Sequence, residues 1–148
     1  MSITYATATA NARLAAEFTA AVSGQSVDGG SGVGQLVIGT ASLTTGSLAS
    51  NAANVLVTVA LYKPSVAIAS KVATLYGPGS AAASVGNPIT ATASASGTAA
   101  LANLYDSAGN FISGGYTVGT SGTNIVIGST TINSGNTVQV TAGTWTHP

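Results

Sequence analysis

Charge is what this sequence has least of: its 148 residues include three Lys or Arg, three Asp or Glu and one His, for a formal net charge of zero. An ordinary globular domain is about 25% charged, and soluble monomers use mixed surface charge and a net charge away from zero to stay apart. The water-facing groups here must be mostly hydroxyls and amides, which are cheaper to desolvate than ions. Such a surface suits coverage by neighbouring chains. Nucleic-acid binding is excluded by the same count, because Arg13, Lys63 and Lys71 are too few and too dispersed along the chain to neutralise a phosphate backbone.

Cysteine is absent, which removes disulfides, thiolate nucleophiles and the usual sulfur-ligated zinc sites. Long apolar runs are absent too. The most apolar stretch, residues 55–62, is far shorter than the roughly 20 residues a membrane-spanning helix needs, so no membrane partner is expected. The N-terminus is polar-interrupted and soon meets Arg13 and Glu17, unlike a secretion signal, and no Asn-X-Ser/Thr sequon occurs.

What is present suffices for one domain with a thin core: Leu, Ile, Val and Phe make up about 22% of residues, just above the level at which disorder becomes the default. Residues 6–22 are Ala-rich, with Leu14, Phe18 and Val22 at helical spacing, and predict one amphipathic helix with an Arg13–Glu17 pair on its surface. Residues 23–34 form a Gly/Ser linker. The period then changes to two. Strands are expected at 35–40, at 54–63 as a central strand apolar on both faces, at 66–76 as one strand closed by Gly77-Pro78-Gly79, and at 89–95. Residues 101–112 read as a hairpin around Asp106-Ser107-Ala108-Gly109-Asn110, in which Gly109 takes the left-handed position. Further strands are expected at 116–118, 123–127 and 137–146, with turns at Thr120-Ser121-Gly122 and Asn133-Ser134-Gly135-Asn136. Short strands at this spacing indicate a mainly β, β-sandwich or jelly-roll-like single domain with one N-terminal α-helix, divided as a helix-and-linker arm (1–34) and a β domain (35–148).

Catalytic chemistry finds little footing. His147 would need an oriented carboxylate and a nucleophile, and Asp28 and Asp106 both fall in predicted loops. A carboxylate pair drawn from Glu17, Asp28 and Asp106 would take Glu17 from a helix face and Asp106 from a turn, where Asp is favoured for bonding its own backbone. The glycines at 29–34 precede a strand rather than a helix and lack a Lys-Ser/Thr pair, so they are no phosphate cradle. Asp28 stands alone as a calcium ligand. A non-catalytic chain without cofactor or metal is expected. Aromatic residues supply the candidate contacts, since Tyr and Trp join an apolar face to a polar tip. Leu14, Phe18, Tyr62, Tyr76, Tyr116 and Trp145 are the candidate interface residues, with Trp145 as the leading anchor.

The C-terminal part carries a resemblance. Tyr105-Asp106-Ser107-Ala108-Gly109, the run from Tyr116 to Ile127 (YTVGTSGTNIVI), Thr131-Ile132-Asn133-Ser134-Gly135 and Thr144-Trp145-Thr146-His147 resemble small virion proteins of tailed bacteriophages, over roughly residues 98–147. The first half agrees more loosely, in its helix, its Gly linker and Leu36-Val37-Ile38-Gly39-Thr40. The resemblance implies a head decoration (cement) protein of jelly-roll type on the outer capsid surface, assembled in the host cytoplasm. Its implied partners are the major capsid protein and further copies of itself. No catalytic or binding residue carries over. The alternatives are a tail, fibre or adhesin subunit, or a carbohydrate-binding module using Tyr62, Tyr76 and Tyr116 as an aromatic row.

Overall fold

Wherever β-branched and apolar residues alternate or run together, this chain forms strands, and turn chemistry separates them. A computed structural model describes residues 3–19, 26–29, 31–76 and 88–147. Helix α1 (Thr7–Phe18) leads into β1 (Gln35–Gly39), a one-turn helix α2 (Leu48–Asn51) with a 3-10 turn at Ala52–Asn54, and β2 (Val55–Ala60). Then come β3 (Val66–Ala69), β4 (Val72–Leu75), β5 (Ile89–Thr92), β6 (Gly97–Thr98), β7 (Leu101–Tyr105), β8 (Phe111–Gly119), β9 (Ile125–Ile127), β10 (Thr131–Ile132) and β11 (Thr137–Thr146). The main sheet has the order β2-β1-β7-β8-β9-β11-β4-β3, with β5 also on β11, while β6 and β10 pair separately.

The protein is mainly β with one N-terminal helix, its sheet curled into a half-barrel compatible with a β-sandwich-like single domain. Leu36, Ile38, Leu56, Leu104, Ile125 and Val140 meet in one core cluster. Leu14, Phe18 and Val27 belong to the same cluster, so the described part of 1–34 is packed on the β domain and is no free arm. A helix of this length is marginal in water by itself, and here Ala10, Leu14 and Phe18 bury one stripe against the sheet. Burying Leu14 and Phe18 contributes roughly 1.5–3 kcal/mol each.

The helix is shorter than the predicted 6–22, and residues 20–22 lie outside those described. Of the expected linker, Ser26–Asp28 is buried: the Val27 N–H donates to the Glu17 carbonyl (3.0 Å) and the Asp28 N–H to that of Phe18 (2.8 Å). Residues 23–25 and 30, and the expected closing turn at 77–79, lie outside the described residues.

Four strand expectations are corrected. First, 66–76 is a hairpin, because Ser70 and Lys71 both take positive φ (50° and 68°) and reverse the chain in two residues. Neither is Gly or Asn, so the usual signal is missing; the Lys71 N–H donates to the Asn11 side chain (2.8 Å) and its carbonyl accepts from the His147 N–H (2.9 Å), which holds the turn. Second, 111–119 is one strand rather than two pieces. Ser113-Gly114-Gly115 looks like a breaker but forms a bulge: Gly115 has φ +79°, and a Cβ on Gly114 would collide with the Asn103 side chain. Third, β2 sits at the end of the ladder, not its centre: among the described residues it pairs with β1 alone, while its Leu56 carbonyl accepts from Ser94 N–H (2.8 Å) and Ala95 N–H (3.3 Å). Fourth, the expected strand at 89–95 ends at Thr92, and the chain turns to enter β6.

The 120–122 turn exists, but β8 and β9 run parallel across it. Parallel neighbours normally need a long crossover. Here the Asn124 side chain takes the place of part of the ladder, accepting from the Thr117 N–H (3.2 Å) and hydroxyl (3.1 Å).

Candidate functional site

The six candidate interface residues separate into three environments. Leu14, Phe18 and Trp145 are buried within this chain, at 3%, 0% and 3% exposure, which corrects their expected place at an interface. The Trp145 ring packs against Phe18 (centroids 4.9 Å apart) and edge-on to Tyr116 (5.8 Å), so the final strand is held down by the chain's own first helix. Its indole N–H is buried without a hydrogen-bond partner.

Tyr116 is half-buried and polar-tied. Its hydroxyl lies 2.7 Å from both the Glu17 carboxylate and the Ser113 hydroxyl, and Ser113 also donates to Glu17. Burial pushes the Tyr116 phenol up; the Ser113 bond opposes this and the bond and charge of Glu17 reinforce it. Glu17 is therefore drawn onto β8 rather than toward Arg13, whose guanidinium stacks instead over the Tyr5 ring at 4.2 Å. This joins α1 to the sheet on the polar side, as Phe18 does on the apolar side.

Tyr62 and Tyr76 remain near the surface, on different grooves. Tyr62 is 39% exposed and lines an opening of about 580 Å³ with Val33, Leu61, Lys63 and Ile89, where β2 and β5 diverge. Tyr76 borders a groove of about 600 Å³ between α1 and β3, lined by Asn11, Ala12, Ala15 and Ile68. With Tyr116 turned inward, the three tyrosines form no common platform.

The carboxylates are each engaged in a separate place. Asp28 accepts from the Ser65 N–H (2.9 Å) and hydroxyl (3.2 Å), 37 residues away, while its other oxygen is buried without a partner. Burial holds this carboxyl above its ordinary value, against the Ser65 bonds and the Lys63 charge. Asp106 closes its hairpin as predicted, accepting from the Ala108 N–H (2.9 Å), the Asn110 N–H (2.9 Å) and the Asn110 side chain (2.8 Å), with Gly109 at φ +84°. Burial raises the Asp106 carboxyl, but the bonds from Asn110, Ala108 and Gly109 outweigh it and hold the group below its ordinary value.

These two aspartates have opposite effects on stability. Folding raises the Asp28 value, so the native state binds that proton more tightly than the unfolded chain, and ionised Asp28 lowers stability above its folded value. Asp106 adds stability that is lost as pH falls through its depressed value. Asp28→Asn is expected to raise the denaturation midpoint at pH 7, with the gain gone below about pH 3.8, where Asp28 is protonated in both states. A gain independent of pH would refute this account of Asp28.

Among the described residues no group of three or more His, Asp or Glu side chains could hold a metal ion, and no helix is long and apolar enough to cross a membrane. Among the described residues, open contact surface includes the α1–β3 groove with the outer edge of β3, and the β2–β5 opening. Sequence reasoning missed both, because each depends on which strand ends a ladder. The chain shows no match to a known protein family, a characterised protein or a solved structure.

Proposed function

We propose that this chain is a non-catalytic structural protein of a tailed-phage virion, decorating the capsid shell and stabilising it by binding across neighbouring capsomers. One observation carries most weight. The few carboxylates are all engaged inside the fold, which leaves, among the described residues, a surface of hydroxyls, amides and small apolar side chains around the α1–β3 groove and the β2–β5 opening. Such a surface is cheap to desolvate against another protein. The C-terminal resemblance to small virion proteins points the same way.

The partners in this reading are the major capsid protein and further copies of the chain, on the outer face of the particle. Many weak contacts on a symmetric lattice act together with high avidity, and a protein that binds only the assembled shell stabilises it by mass action. The test is sedimentation of the purified protein with empty phage shells that lack it, followed by heating. Saturable co-sedimentation with a raised shell melting temperature is the expected result. Absence of binding sinks the proposal.

A further inference from the structure

In the two-residue β3–β4 hairpin, Ala69 pairs with Val72 and Ala67 with Thr74, and the Ser65 carbonyl accepts from Tyr76. The main-chain groups of Ser65, Ala67 and Ala69 thus face β4, and those of Val66 and Ile68 face outward. Among the described residues no strand covers that edge. Natural edges are guarded by charge, proline or a bulge; the Val-Ala-Ile-Ala of β3 has none of these. The groove beside it is walled on the helix side by Ala12 and Ala15, small enough to admit a further backbone.

One end of this groove is basic. Lys71 follows β3 in the turn, its N–H on Asn11 of the groove wall and its carbonyl on the His147 N–H. The His147 ring stands edge-on to Tyr5 at 5.1 Å, and Tyr5 carries the Arg13 guanidinium on its face. The chain's only Arg, its only His and one of its two Lys thus gather at a single corner.

We propose that β3 takes an extended segment of a different protein as an added strand, lying in the α1–β3 groove with an acidic residue at the corner of Arg13, Lys71 and His147. The inference rests on the structural reading above only in taking the partner to be a protein. A second copy fits poorly for two reasons. Its carboxylates are engaged internally, and antiparallel pairing of β3 with itself about Ala67, which opposes the outward-facing Val66 and Ile68, would set Lys71 of one copy opposite Lys63 of the other. A nucleic acid fits poorly because useful affinity draws on many more phosphate contacts than this corner provides.

The test is an NMR titration with a short synthetic peptide of alternating valine and threonine bearing two aspartates at one end. Expected are amide shifts at Val66 and Ile68 and ring shifts at Tyr5. Affinity should fall about tenfold when the aspartates become lysines, or in the Arg13→Gln, Lys71→Gln double variant. Ile68→Pro, which deletes an outward donor and leaves the β4 ladder its bonds, should abolish the amide shifts. If that variant does not fold by circular dichroism, the double variant carries the test. Shifts away from β3, equal affinity for the lysine peptide, tighter binding of a DNA duplex, or a dimer of the free protein that Ile68→Pro dissolves would each overturn the proposal. Peptide binding without shell binding would retire the capsid reading alone; shell binding unaffected by either variant, with no peptide binding, would retire this one alone.

Discussion

Replacing Trp145 with alanine is expected to cost about 3–5 kcal/mol, enough to leave a domain of this size barely folded. The ring is the seam between three parts of the chain: Phe18 of α1, Tyr116 of β8, and β11 itself, paired through residues 144–146 with β4. Removing it opens a cavity beneath the helix and takes away the ring against which Phe18, the largest buried side chain of α1, is packed. Equilibrium denaturation should show the loss, and hydrogen exchange should show it first in residues 7–18. Trp145→Phe should cost much less, about 1–2 kcal/mol, because it keeps most of the packing and removes the buried, unpartnered indole N–H. A cost below about 1 kcal/mol for Trp145→Ala would mean that the helix is not held through this contact.

The second large effect is expected at Asn103, which is 1% exposed on β7. Its amide donates to the Thr44 carbonyl (2.9 Å) and lies 3.4 Å from the Tyr105 hydroxyl, and its oxygen accepts from the Gly115 N–H (3.0 Å) at the bulge. Thr44 is in turn gripped by Asn51, through its N–H (2.8 Å) and its carbonyl (2.8 Å), and the Tyr105 hydroxyl donates to the Gly46 carbonyl (2.7 Å). One side chain thus fastens the long β1–β2 connection to the sheet and fixes the bulge of β8. Asn103→Ala leaves several of these groups without partners and should cost about 3 kcal/mol. Limited proteolysis should begin near residues 44–50. Tyr105→Phe, which removes the bond to the Gly46 carbonyl and the longer one from Asn103 but leaves the Thr44 and Gly115 bonds, should cost about 1 kcal/mol. Equal losses for the two would show that Asn103 is not the hub.

Much of the local structure was legible. Leu14 and Phe18, four residues apart, marked the buried stripe of α1, and the β-rich run at 137–146 marked β11. The Asp106 turn was legible to the atom, because an aspartate that bonds its own backbone needs no distant partner. The hairpin at Ser70-Lys71 was not, since the positive φ angles are imposed by Asn11 and His147 from elsewhere in the chain. Nor could Ser113-Gly114-Gly115 be told from a break without Asn103 beside it.

The candidate contacts show the same division. Aromatic residues were the right residues to weigh, but composition cannot say whether an apolar ring meets its own core or another chain. Trp145 and Phe18 found each other across almost the whole sequence, and Glu17 found Ser113 and Tyr116 at separations of 96 and 99 residues. By itself the sequence determined the strand-rich composition, the single long helix, the turns built on local side-chain bonds and the scarcity of charge. Only the tertiary structure decided which strands end the sheet, where the few charges gather and which rings are buried. Periodicity specifies which side chains share a face, whereas neighbours across a sheet are chosen by long-range packing that no local pattern encodes.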